Sequence, residues 1–191
     1  GRVDPADQLA DHLKFARDFM DQEDLHTPIN HGGGQTTNGG NLQVFSKEFF
    51  DAQMQVIIEE RVPVYAAGLG NPGPWMAELR YNGTRVMAVV GAVRHAIQVA
   101  AIGLDAIVAQ GHDAGGHNSP VGAMALIPQV VDAVGNIPVL GAGGIGDGRG
   151  VAAAMMLGAA GGWIGTAFLA AEESGIAQHQ KQALVDGTEE G

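Results

Sequence analysis

The chain has 191 residues, 46% of them hydrophobic and 16% charged, with 30 glycines, no cysteine and a formal net charge of −11. That length and apolar share describe a globular chain able to bury a sizeable core. The acidic balance argues against nucleic-acid or anionic-membrane surfaces, and the missing cysteines exclude disulfides, thiolate nucleophiles and thiolate metal sites.

In chain order, residues 5–22 place Leu9, Leu13, Ala16 and Met20 on one face, which predicts an amphipathic helix opened by Pro5. His26–Asn30 reads as a short buried strand, and 31–43 as a polar glycine-rich loop, either a lid or a solvated connector. Phe45–Arg61 returns to helical spacing through Phe49, Met54, Ile57 and Ile58. The alternation is regular from there. Strands are predicted at 62–69, 85–90, 105–110, 137–142 and 161–166, and helices at 75–82, 92–102, around 124–134, at 148–157 and, weakly, at 176–184. Apolar strands without alternation, separated by helices, predict a parallel sheet covered on both faces. The pattern yields about six strand–helix units, whereas a closed (β/α)8 barrel needs eight and about 250 residues. Six parallel strands alone would leave two raw edges, so the expectation is a TIM barrel whose first two units lie outside this chain. No apolar run approaches the roughly 20 residues that span a bilayer, and no secretory pattern opens the sequence. A cytoplasmic setting is the default expectation.

The chemistry concentrates between Asp105 and Thr166, where three apolar runs each end in a glycine-rich turn. Gly143-Gly144 and Gly165-Thr166 follow consecutive predicted strands, and the loops after the last two strands of a barrel are its usual phosphate site. Glycine lets backbone N–H groups approach a phosphate unobstructed. Two such turns in succession favour phosphate binding over simple tight βα turns. Gly148-Arg149-Gly150 opens the next helix, whose positive end would favour an anion. In GHDAGGH, His117 sits at the end of a strand, where a neutral imidazole can act as a general base, although a lone loop histidine is more often a cap or solvated. His112 and His117, with Asp113, are joined by no further ligands at recognisable spacing, so no metal is assigned. Gln110 ends its strand, either as a partner for a cofactor ring or as an ordinary rim amide.

The run from DAIVAQGHDAGGH through IPVLGAGGIGDGRG to GGWIGTAFLAAEESG resembles the flavin-dependent nitronate monooxygenases, formerly 2-nitropropane dioxygenases, and the closely related flavin-dependent enoyl-acyl carrier protein reductases. The resemblance is specific over about 85–175, looser over 45–84 and poor before that. It implies a single FMN-binding (β/α)8 barrel domain over 1–191, incomplete at both ends, with the present strands matching the third through eighth. It implies that His117 is the catalytic histidine. Gly143, Gly144, Gly165 and Thr166 would be the FMN-phosphate loops, and Gln110, Gly111, Gly115 and Gly116 would lie near the flavin. The implied reaction takes a nitronate, or a nitroalkane deprotonated by His117, through FMN and oxygen to a carbonyl compound and nitrite. The implied partners are that small substrate and oxygen, with self-association left open. Trp163-Ile164 stands where smaller or polar residues are usual, and the family's APM-type first strand has no counterpart. The rival readings are NAD(P)H- and FMN-dependent enoyl-thioester reduction, a non-redox phosphate-binding barrel, and an inactive barrel fragment.

Overall fold

In the computed structural model, which describes residues 47–68 and 71–188, helices and parallel strands alternate. Helix α1 (Lys47–Glu59) leads to β1 (Val64–Ala67), and a 3-10 turn (Gly73–Trp75) leads into α2 (Met76–Tyr81). Then follow β2 (Arg85–Val90), α3 (Val93–Ala100), β3 (Ala106–Gln110), α4 (Ala123–Val134), β4 (Val139–Ala142), α5 (Gly148–Met156) and β5 (Gly161–Trp163). Helices α6 (Thr166–Leu169) and α7 (Gln178–Asp186) close the series. These residues belong to a compact unit spanning Gln43–Gly191. The helix expected at 5–22, the strand at His26–Asn30 and the loop at 31–43 lie outside the described residues, as does part of the single domain expected over 1–191.

Among the described residues, all five strands are parallel and lie in the order β1-β2-β3-β4-β5. A doubly wound sheet reverses direction at a switch point and loses sequential order. An unbroken sequential order is that of a (β/α)8 barrel, and the described strands form a sector of one. The alternating pattern of β2 buries Val86, Ala88 and Val90, whereas the three central residues of β3 are all buried, as a strand covered on both faces requires.

Two apolar clusters hold the layers together. In the first, Ile107 and Ala109 of β3 and Val139 of β4 pack under Leu126, Ile127 and Val130 of α4 and Ala154 of α5. In the second, Val86 and Ala88 of β2 and Ala67 of β1 meet Met54 of α1 and Met76 and Leu79 of α2. Helix α1 has the spacing for this, because Phe50, Met54, Ile57 and Ile58 fall on one face. Each fully buried aliphatic side chain, such as Ile107 or Leu79, contributes about 1.5–3 kcal/mol.

The last predicted strand is shorter than its apolar run. GGWIGT was expected to be extended over 161–166, but β5 ends at Trp163. Gly165 adopts a right-handed helical conformation and opens α6, so the run turns before its end.

Candidate active site

The register of the sheet builds the site floor. Gln110 of β3 pairs with Ala142 of β4, which pairs with Trp163 of β5. These three residues form a row across the C-terminal ends of adjacent strands, so their side chains share a face. Gln110 falls two residues after Val108, on the face opposite Ile107 and Ala109, which point into the helix layer.

Above the row lies a cleft of about 530 Å³. The β3–α4 loop contributes Asp113, Ala114, Gly115 and Gly116; the turn after β4 contributes Gly143 to Gly146; and the turn after β5 contributes Ile164, Gly165 and Thr166. Trp163, Ile145 and Leu169 give it an apolar wall. Of the residues picked out in the sequence, Gln110, Gly115, Gly116, Gly143, Gly144, Gly165 and Thr166 all line this one cleft.

Gly111 and His117 do not line it. Gly111 lies behind the floor. Its N–H donates to the Ala142 carbonyl at 2.9 Å, and a Cβ there would stand 2.2 Å from the Ala123 nitrogen, so only glycine permits this approach of strand and helix. The His117 imidazole is exposed. Its backbone carbonyl accepts a hydrogen bond from Gln110 Nε2 at 2.9 Å, so the Gln110 amide donates to the histidine loop.

The β4 turn has the conformation its glycines permit. Gly143 and Gly144 have φ of +108° and +65°. A Cβ on Gly143 would meet Ala114 N at 3.2 Å and Gly111 O at 3.3 Å. Among the described residues, the N–H groups of Gly144, Ile145 and Gly146, and those of Gly165 and Thr166, donate to no protein carbonyl. Unpaired donors on two successive turns that line one cleft are what an anion nest requires.

The flanking helix ends serve a different purpose. Asp147 caps α5, accepting from the N–H groups of Arg149 at 2.8 Å and Gly150 at 3.4 Å, while the Arg149 guanidinium closes on the same carboxylate at 2.6 and 2.9 Å. The Arg149 guanidinium and then its N–H hold the Asp147 pKa below the usual carboxylate value. The GRG helix start therefore spends its positive end on the chain's own carboxylate and does not face the cleft. Helix α4 begins after Gly122, which has no side chain to cap it, and Asp113 Oδ2 reaches across to accept from Ala123 N at 2.7 Å. That N–H lowers the Asp113 pKa. Sequence reasoning missed both roles: Asp147 stands at a readable N-cap position, whereas Asp113 acts from ten residues away.

The cleft suits FMN on three counts. Its volume falls in the usual range for small-molecule pockets, about 300–1,000 Å³. It offers unpaired N–H donors for a phosphate, and an apolar wall including Trp163 for a ring.

A family model described as nitronate monooxygenase matches residues 3–191. FabK from Thermotoga maritima superposes with a TM-score of 0.71 at 41% identity, covering 76% of this chain and 46% of FabK. A nitroalkane oxidase from Streptomyces ansochromogenes gives 0.65 at 37% identity, covering 72% and 43%. A (3aS,4S,5R,7aS)-5-hydroxy-7a-methyl-1-oxo-octahydro-1H-indene-4-carboxyl-CoA dehydrogenase of Mycobacterium tuberculosis is 42% identical over 156 residues, 78% of this chain and 44% of the relative. The chain spans less than half the length of each of these relatives. On the match to nearly its whole length, the chain belongs to the nitronate monooxygenase family of flavin-dependent oxidoreductases.

Proposed function

We propose that the protein carrying this chain uses FMN and oxygen to convert alkyl nitronates, or nitroalkanes after loss of a proton, to carbonyl compounds and nitrite. The observation that carries this reading is the cleft between the β4 and β5 turns, with its unpaired N–H donors and apolar wall, in a chain of this family. Gly143, Gly144, Gly165 and Thr166 would hold the FMN phosphate, and Gln110, Gly111, Gly115 and Gly116 would shape the space near the ring. Bound FMN supplies reversible electron transfer between the nitronate carbon and oxygen. The chain's own contribution is orientation and one proton. His117 Nε2 or Nδ1, in the neutral imidazole, takes the proton from the carbon bearing the nitro group. Its side chain would turn inward from the loop that Gln110 anchors. A cytoplasmic setting belongs to the same proposal and rests on the cysteine-free composition.

The test separates the proton step from the oxidation. In a His117→Asn variant, turnover of a neutral nitroalkane should fall by about 10²–10⁴-fold, the usual contribution of a general base, while turnover of the preformed nitronate should fall far less. Equal losses on both substrates would remove His117 from the proton step, and no nitrite from either substrate with the parent protein would end the reading.

The likeness to FabK and to the indene-carboxyl-CoA dehydrogenase supports a second reading, reduction of an enoyl thioester by NAD(P)H through FMN. Anaerobic bleaching of the flavin by NAD(P)H, with no response to a nitronate, would select it.

A further inference from the structure

The loop between β3 and α4 is a compact turn whose ends are joined, the His112 N–H donating to the Val121 carbonyl at 2.9 Å. One side chain spans its interior. Asn118 Nδ2 donates to the carbonyls of His112 and Ala114, each at 3.0 Å. The next residue ties the loop to a neighbouring unit, the Ser119 hydroxyl donating to the carbonyl of Gly91 just beyond β2. Between the points that Asn118 joins lie Gly115, Gly116 and His117. Nothing stands within 4 Å of where a Cβ on either glycine would be, and Gly116 has φ +80°. Packing does not hold this stretch, so its hydrogen bonds set its shape.

We propose that Asn118 is a positioning residue for His117, its carboxamide tying together the two carbonyls that precede the Gly115-Gly116 turn and so fixing where the imidazole is presented. The proposal rests on His117 being the proton acceptor of the proposed reaction. Two carbonyl dipoles converge on one point, and an NH₂ group is the side-chain donor that can satisfy both at once. Without it, a segment with two adjacent glycines has many conformations to choose from, and the fraction that places His117 productively falls. Gln110 restrains the same histidine from the strand side through its carbonyl. The two amides thus hold the turn from opposite ends.

The test compares Asn118→Asp and Asn118→Ala with the parent, all flavin-loaded. Asp keeps the shape of Asn but has no donor when ionised, and it regains one O–H when protonated. At neutral pH both variants should turn over a neutral nitroalkane about tenfold more slowly, with KM and flavin affinity within about twofold of the parent. In the folded loop the protonated Asp is the favoured form, so its pKa is raised and loop order returns as pH falls through it. The ratio of Asn118→Asp to parent turnover should therefore climb as pH falls from about 7 toward about 4, approaching the ordinary carboxyl range from above, while the Asn118→Ala ratio stays flat. His112, Asp113 and His117, the titratable neighbours in the loop, are common to all three proteins, and the two imidazole resonances followed over the same pH range separate their titration from that of the new carboxylate. The His117 imidazole NMR resonance gives a readout independent of turnover, sharp and single in the parent and broadened toward a random-coil shift in both variants at neutral pH. Parent-like turnover and an unchanged resonance would overturn the proposal, as would losses in both variants without acid recovery of Asn118→Asp. If the parent itself does not act on nitroalkanes, the proposed reaction fails and the imidazole resonance alone decides the role of Asn118.

Discussion

Replacing Gly144 with alanine separates the cost to the fold from the cost to the cofactor site. At φ +65° an alanine pays about 1–2 kcal/mol for the left-handed conformation. The added Cβ meets only the Asp113 Cβ at 3.4 Å, an ordinary contact, so sterics add little. In a domain of this size about 1 kcal/mol corresponds to about 2–4 °C, so the apoprotein Tm should fall by about 2–8 °C. The Gly144 N–H lies among the unpaired donors, and the methyl would stand beside it at the cleft. Losing one charge-assisted hydrogen bond costs about 1.5–3 kcal/mol, so FMN affinity should drop by roughly tenfold to a hundredfold. Gly143→Ala makes the contrast. Its φ of +108° lies beyond the left-handed well, and its Cβ would press on the backbone of Gly111 and Ala114 at 3.2–3.4 Å, so fold and cofactor site should suffer together. Flavin-fluorescence titration and thermal melting of each apoprotein read the two costs separately. If Gly144→Ala melts as expected but binds FMN within twofold of the parent, the β4 turn does not hold the phosphate.

Gln110→Ala removes the hydrogen bond to the His117 carbonyl, worth about 1 kcal/mol. Steady-state turnover should fall about fivefold with FMN affinity nearly unchanged, and the reverse pattern would return Gln110 to the cofactor ring. At Asp105, burial pushes the pKa up, but the Val86 N–H and the Arg85 guanidinium outweigh it and leave the carboxyl below its usual value. A lowered pKa contributes stability that is full above the unfolded value and is lost as pH falls through the folded one. Denaturant unfolding of Asp105→Asn should therefore be weaker at neutral pH and flatter than the parent below about pH 4, and parallel pH profiles would refute the argument.

Where the sequence was legible, a local cause made it so. β2 occupies Arg85–Val90 as its β-branched run predicts, and the two candidate phosphate turns were visible because Gly143-Gly144 and Gly165-Thr166 close apolar runs. Helix α6 escaped notice because four residues carry no period, and the same short turn cut the last strand back to Trp163. The Gln110–Ala142–Trp163 row depends on register between strands distant in sequence, which no local pattern states. For the same reason Asp113 is weighed in the sequence beside His112 and His117 as a metal ligand and not as the cap of α4. His117 could be singled out by its setting, but its exposure and the anchoring of its carbonyl by Gln110 depend on the folded loop.

The sequential strand order has a further consequence for how the cleft comes into being. Every wall of it is drawn from the uninterrupted stretch between Gln110 and Leu169, on strands that each pair with the next one made. Each pairing closes only the one βα crossover between neighbouring strands, so its loop-closure entropy stays modest beside that of pairing across the whole chain. The cleft can therefore take shape from one contiguous segment, and a substitution in the units before Gln110 reaches it only through the packing beneath, not through its walls.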